Sequence, residues 1–336
     1  MADHSRPGEF DLIKKYLRPL ASGERGAAAL SDDAAVLPTK DGHRLVVTMD
    51  TLVSGVHFFK FTPPRFIASK SLRVNLSDLA SMGADPAYYT LSLSLPIHGE
   101  MECDADWLES FSQALSIEQD LYDITLVGGD TVSTPGPLTL TITAFGWVKI
   151  GQEIMRSGAT AGDLVYTSGT IGDAWLGLSA LRGGHHELEP SSLEFIIESY
   201  NRPKPRLDLG CRLFGIANSA IDISDGLAQD LGHICRASNV SATIHAGDIP
   251  LSGPARVLLK DNAHLIKGIL SGGDDYELLF TVPPKRQKNV TDIAKKLDLS
   301  LSQIGFIESS EQDHLVTILD KVGTKMDLAS TGYRHF

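Results

Sequence analysis

The sequence predicts an α/β protein of two domains, on three observations. Its 336 residues suffice for two hydrophobic cores, and 42% hydrophobic with 21% charged residues is ordinary globular composition. Two segments, Tyr89 to Leu95 and Leu138 to Ala144, alternate apolar and hydroxyl residues with strict period two, the pattern of half-buried strands that share a sheet. Between strand patterns lie helical ones, and a Gly-punctuated crossing, Gly151 to Gly162, resets the composition. These place a boundary near residue 150, with an N-terminal domain over 1–150 and a C-terminal α/β domain over 151–336.

In chain order, Arg44 to Met49 reads as a buried strand ending at Asp50, and Arg65 to Met82 as a helix. Asp106 to Leu121 reads as a second helix, with Trp107, Leu108, Phe111, Leu115 and Ile117 on one side. Asp123 to Val127 is a strand that runs into Gly128-Gly129-Asp130. Beyond the boundary, Leu164 to Thr167 is a strand and a helix begins at about Gly172. Ala220 to Ile223 is a strand feeding a helix over Leu227 to Ala237. Strands follow at Leu278 to Val282, Leu301 to Ile307 and Val316 to Leu319, with a helix at Val290 to Leu297. GGHHELEP, from Gly183, reads as a polar loop and NRPKPRLDLG, from Asn201, as a proline-stiffened connector.

Charge and composition narrow the function classes. A net charge of -12 and the lack of a basic stripe disfavour nucleic acid and anionic membranes as partners, so an anionic substrate would need cations. No apolar stretch reaches membrane length. Cys103, Cys211 and Cys235 form no CxxC pattern, which fits a reducing compartment and the cytoplasm.

Seven aspartates in small-residue turns carry the chemistry: Asp33, Asp50, Asp78, Asp130, Asp222, Asp225 and Asp274. Small neighbours let backbone approach a ligand, and acids after short apolar runs gather at one edge of a sheet. Asp222 and Asp225 flank a strand end and a helix start; an N-cap at Ser224 or Asp225 explains one acid, and a ligand crevice explains two. Gly-Gly-Asp130 suits backbone amides near a phosphate and a carboxylate on its cation, or a plain turn. Thr48 adds a hydroxyl beside Asp50, a donor pair suited to a hard cation.

Other positions read more weakly alone. Asp32 and Asp33 could cap an entering element, Asp78 could be a solvated helix residue, and Arg156 in its Gly-flanked loop is either exposed or a phosphate clamp. His57 alone says little, and adjacent His185 and His186 read as solvated. Tyr333 and Phe336 would pack the tail or stack on a planar ligand. Neither GxxxxGK[ST] nor a helix-opening GxGxxG occurs, so P-loop and dinucleotide folds lack their fingerprints.

Taken together, DDAAVL at Asp32, DTLVSGVHF at Asp50, KSLRVNLSDLASMGADP at Lys70, LVGGDT at Leu126, RSGATAGD at Arg156, AIDISDGLAQDLGHI at Ala220, SGGDDYELLFTVP at Ser271 and GYRHF at Gly332 resemble the thiamine-monophosphate kinases. These belong to the superfamily of aminoimidazole ribonucleotide synthetase. The resemblance implies that superfamily's two-domain fold, with N-terminal sheets pairing across a homodimer, and direct transfer of the γ-phosphoryl of ATP to thiamine monophosphate. It implies several Mg2+ ions on Asp33, Thr48, the Met49 carbonyl, Asp50, Asp78, Asp130, Asp222 and Asp225. ATP contacts are implied at Gly129, Asp130, Arg156 and Ser224, and thiamine-phosphate contacts at His57, Asp274 and Tyr333. Ser31 and Met49 depart from the family pattern, where Gly and a hydroxyl residue are common. Other expectations consistent with parts of the pattern are another ATP-dependent synthetase of the superfamily or a non-catalytic maturation factor that keeps a nucleotide site.

Overall fold

The computed structural model describes residues 6–98, 101–310 and 315–333. The chain divides into two compact units, one holding residues up to Leu79 together with Asp85–Ile150, the other Ala80–Ala84 together with Gly151 onward.

The first unit is a four-stranded sheet in the order β1-β4-β2-β3, built from β1 (His43–Val53), β2 (Asp85–Pro96), β3 (Thr125–Thr134) and β4 (Thr139–Lys149). The two period-two segments pair antiparallel as β2 and β4, and β2 runs parallel to β3. That parallel pair needs a crossover, supplied by α3 (Ala105–Tyr122). Asp104 starts α3 by accepting the Trp107 N–H at 2.8 Å, which satisfies one orphan amide of the first turn. Ile117, expected on the buried face of α3, is exposed. The short α1 (Glu9–Leu12) opens an irregular helical segment that lies against β3.

The helix α2 (Pro64–Ser81) is buried along almost its whole length, with Leu72, Leu76 and Leu79 fully enclosed. Such burial also encloses charge: Arg73 Nε and Glu118 Oε2 are 2.8 Å apart, with side chains 6% and 1% exposed. The carboxylate also accepts a second guanidinium bond (3.0 Å) and the Ser69 hydroxyl (2.7 Å), and the Tyr122 ring lies 5.4 Å from the guanidinium. This pair fastens α2 to α3.

On the opposite face the β1 end of the sheet is open among the described residues. Leu45, Val47 and Met49 of β1 are 49%, 53% and 63% exposed, in register with Trp147, Phe145 and Thr143 of β4. The strand expected to be buried on both sides is thus an edge strand with one apolar face open. It also continues through Asp50 to Val53, and β3 likewise continues through Gly128-Gly129-Asp130 to Thr134. Both acids sit within strands rather than at their ends.

The second unit is a six-stranded sheet in the order β10-β7-β9-β5-β8-β6. Its strands are β5 (Leu164–Ser168), β6 (Ser219–Asp222), β7 (Val240–His245), β8 (Leu278–Val282), β9 (Leu301–Ser309) and β10 (Val316–Leu319). The helices are α4 (Asp173–Leu181), α5 (Pro190–Asn201), α6 (Leu207–Leu213), α7 (Leu227–Ser238), α8 (Gly253–Asp261), α9 (Leu265–Ser271) and α10 (Gln287–Leu297). The expected connector after Asn201 thus gives way to α6, and β7, α5, α8 and α9 lie where no element is expected. Leu176, Leu227, Leu231, Ile269 and Leu279 belong to one buried cluster. Among the described residues no helix is long and apolar enough to cross a membrane.

Removing one partner of the enclosed ion pair strands a buried charge. Glu118→Ala is expected to lower unfolding stability by about 3–5 kcal/mol, while Arg73→Met/Glu118→Leu together should cost far less. Urea denaturation followed by fluorescence checks both, and equal losses for the single and double variants would contradict the assignment.

Candidate functional site

In the first unit the acids are held by side chains of α2. Asn75 and Asp78, one helical turn apart, both face β1. Asn75 Oδ1 accepts the Asp50 N–H at 3.1 Å, and Asp78 Oδ2 accepts the Thr48 hydroxyl at 2.5 Å. Asp78 is therefore not a solvated helix residue; it closes a Thr48–Asp78 pair beside Asp50. The same bond to Asn75 turns the Asp50 N–H away from β4, so the trans peptide aims the Met49 carbonyl back toward β4. The Met49 carbonyl, implied as a cation ligand, faces the ladder, and its side chain lies on the exposed apolar face.

His57 accepts the Val53 N–H at Nδ1 (3.0 Å), which leaves Nε2 as the protonated, donating nitrogen. A donor there suits an anionic group. Lys70, buried, donates to the His57 carbonyl at 3.3 Å.

Asp33 and Asp130 come together. Both line a cleft of about 220 Å³ with Asp32, Gly128, Gly129 and Thr131 on its wall. Asp32 and Asp33 cap no helix or strand; they follow a tight turn and sit in irregular chain, where Asp32 Oδ1 accepts the Asp33 N–H at 2.9 Å. A register shift opposite Tyr89 and Thr90 marks a bulge at Val127, just before the glycines. Gly129 is required there, because a Cβ would lie 1.9 Å from the Leu91 carbonyl oxygen.

Asp50 and Asp130 do not come together within one chain. Asp50 registers with Ile142, Ile142 with Leu91, and Leu91 with Gly129, so the two acids occupy opposite edges of the sheet. Three inter-strand steps separate them, roughly 14 Å. Ligands of one Mg2+ lie about 2 Å from it, so a single ion cannot span that gap.

In the second unit the segment after β6 gathers several expected residues. Asp222, 4% exposed, ends the strand, and Gly226 (φ 132°) precedes α7. Neither Ser224 nor Asp225 caps the helix. Asp230, from inside α7, reaches back instead: its Oδ2 accepts the N–H of Asp225 (3.1 Å) and of Gly226 (3.0 Å). Gln229 donates to Asp225 Oδ2 (3.0 Å) and to the Tyr333 carbonyl (2.9 Å), and the Tyr333 N–H donates to the Asp225 carbonyl (2.9 Å). The Asp274 N–H donates to the Ser224 carbonyl at 2.8 Å. Ser224, Asp225, Asp274 and Tyr333 thus form one backbone-linked group; Phe336 lies outside the described residues.

Sequence reasoning missed Asp230 and His233. With Asp225 their ligand atoms all lie within 4.8 Å of one another. Burial, and then the Asp225 carboxylate beside it, push the Asp230 carboxyl up to about 7. Burial holds the His233 imidazole below its usual range, and nearby Arg236 and Arg156 push it the same way. That last effect places Arg156 within electrostatic reach of this group. The signal in the sequence was the run Asp225, Asp230, His233, which one helix start brings to a single side.

These donor sets fit magnesium. Thr48, Asp50 and Asp78 offer only oxygen, as do Asp33 and Asp130, and hard cations take oxygen ligands. His185 keeps only a 4.0 Å approach to Glu187, and burial lowers its pKa. No metal centre forms there among the described residues.

Comparison with known proteins extends over the whole chain. Residues 31–148 match the family model of the AIR synthase related protein N-terminal domain, and residues 160–317 that of its C-terminal domain. The thiamine-monophosphate kinase of Haemophilus influenzae is 39% identical over 332 residues, 98% of each chain. The crystal structure of thiamine-monophosphate kinase from Stenotrophomonas maltophilia K279a has 42% identity and a TM-score of 0.80, over 93% of this chain and 96% of its own. AaThiL complexed with AMPPCP and TMP has 30% identity and a TM-score of 0.76, over 98% and 97% of the respective chains. With its fold, its acid-bearing strands and its sequence matching from end to end, the chain belongs to the thiamine-monophosphate kinase family.

Proposed function

We propose that the chain transfers the γ-phosphoryl group of ATP directly to thiamine monophosphate, giving thiamine diphosphate and ADP. The observation that carries this reading is the end-to-end similarity to a solved relative that holds an ATP analogue and TMP together. Relatives of full-length similarity carry the same activity in their names.

The acceptor is already a phosphate anion, so its attack needs no protein base and no protein nucleophile. The obstacle is mutual repulsion of two polyanions, and catalysis consists of alignment and charge neutralisation. Magnesium, when bound, would supply positive charge between the phosphates. The first unit would hold it through Asp33, Thr48, Asp50, Asp78 and Asp130, and the second through Asp222 and Asp225. Gly129 would bring its backbone close to the nucleotide phosphates, with Arg156 and Ser224 as further ATP contacts. His57 would donate from Nε2 to the substrate phosphate, and Asp274 and Tyr333 would position the thiamine moiety. We place the protein in the cytoplasm, since nothing in its cysteine pattern calls for an oxidising compartment.

Two features of the sheet support a two-copy reading. An uncovered apolar face carrying Leu45, Val47, Met49, Phe145 and Trp147 favours a second sheet, and the separation of Asp50 from Asp130 is removed if the β1 edge of one copy meets the β3 edge of its partner. We therefore expect a homodimer in which each cation set draws on both chains.

Incubation with ATP, Mg2+ and thiamine monophosphate is expected to yield thiamine diphosphate and ADP in equal amounts, and excess EDTA should abolish both. ATP binding without thiamine diphosphate would instead support a maturation factor that only keeps the nucleotide site.

Asp50→Asn and Asp130→Asn should each lower turnover by roughly 10²–10³-fold or more, with the fold retained by circular dichroism. Near wild-type rates at limiting Mg2+ would remove the residue from the cation set. Mixing the two inactive variants under conditions of subunit exchange tests the shared site. A dimer with one chain of each kind regains one intact Asp50–Asp130 pair if the pair is formed between chains, and none if it is formed within a chain.

A further inference from the structure

The segment Gly272 to Glu277 joins α9 to β8 and carries two residues in the left-handed region, Asp274 (φ 71°) and Tyr276 (φ 51°). Neither is glycine, so each costs on the order of 1 kcal/mol or more and persists only where its surroundings enforce it. Part of the enforcement is main-chain. Asp274 N–H donates to the Ser224 carbonyl (2.8 Å), Tyr276 N–H to the Ile223 carbonyl (2.8 Å), and Ile223 N–H to the Glu277 carbonyl (2.9 Å). Gly273 permits the approach, since a Cβ there would stand 2.2 Å from the Ser224 oxygen.

A further hold comes from the residue between the two strained positions. Asp275 Oδ2 accepts the Gly172 N–H at 2.8 Å, and its Oδ1 faces the Ala174 N–H at 3.4 Å. These are first-turn amides of α4, whose own N-cap residue is Gly172 (φ 88°) and offers no side chain. The helix therefore takes its capping carboxylate from a residue about 100 positions away. Glu277, two residues further on, is likewise turned into the unit, where Arg206 pairs with it and Ser168 donates to it. Burial, with Asp173 and Glu277 nearby, holds the Asp275 carboxyl well above the usual carboxylate range, so this acid is kept for its geometry at an electrostatic cost.

We propose that Asp275 is a positioning residue for the thiamine-phosphate acceptor: by tying the strained loop to the start of α4, it fixes the backbone that presents Asp274. The proposal rests on the reading above that Asp274 meets thiamine monophosphate. Asp274 and Tyr333 hang from consecutive carbonyls, those of Ser224 and Asp225. Releasing the Asp275 anchor moves the first without cutting the second, so acceptor recognition should suffer while nucleotide recognition does not.

The test measures wild type, Asp275→Ala and Asp275→Asn in steady state, varying each substrate in turn, with titration calorimetry of thiamine monophosphate. Asp275→Ala is expected to lower kcat/KM for thiamine monophosphate by about 10- to 100-fold, mostly through KM, with KM for ATP within twofold of wild type. Asp275→Asn keeps one acceptor oxygen for Gly172 and should recover part of the loss. If the alanine variant does not fold, the asparagine variant carries the same KM comparison. Equal losses toward both substrates, or an unchanged KM and affinity for thiamine monophosphate, would overturn the proposal. A wild-type protein that makes no thiamine diphosphate would overturn the underlying reading instead.

Discussion

A carboxylate is useful to a cation only if its backbone is held still, and at three places here a neighbouring side chain shares in the holding. Asn75 takes the amide of Asp50, Asp230 takes the amides of Asp225 and Gly226, and Asp275 takes the amide of Gly172 beside the loop that carries Asp274. The anchor uses its oxygen on a main-chain N–H, and the proposed ligand role falls to the acid whose backbone is held, although Asp225 Oδ2 also accepts from Gln229. A carboxylate anchor is costly in a buried setting, which is why the carboxyls of both Asp230 and Asp275 are held above their normal range.

This division of labour explains the glycines. Anchoring a chain against a neighbouring carbonyl requires an approach that a methyl group would block. Gly129 lies against the Leu91 carbonyl, Gly273 against that of Ser224, and Gly226 against that of Ser271. Each stands one residue from an aspartate on which the chemistry is proposed to rest. The small residues therefore do not merely loosen turns; they let the acid-bearing backbone press onto a rigid partner.

The strands add a second constraint. A sheet fixes distances across itself at multiples of the inter-strand spacing, so acids on opposite edges cannot approach by side-chain movement alone. Asp50 on β1 and Asp130 on β3 are held apart by β4 and β2. The same sheet leaves an apolar face open on the side away from α2, with Val47 and Phe145 paired across it. Separation of the acids and exposure of the face are the two features on which the proposed homodimer rests.

Most strands were legible because period-two alternation and apolar runs are local signals; β8 and β10 fall on the bounds the sequence implied. The ends of β1 and β3 were not, because Asp50 and Gly128-Gly129 look like terminators until a neighbouring strand supplies hydrogen bonds through them. Residue order alone was enough to mark which residue types carry the chemistry: aspartates beside glycines, in an order specific enough to indicate a family. Which acids present and which anchor became visible through folding alone, since Asp225 and Asp230, or Asp274 and Asp275, are the same residue type in the same short run. Their roles differ through the direction each side chain takes and the backbone amide it meets, and that is set by contacts between segments far apart in the chain.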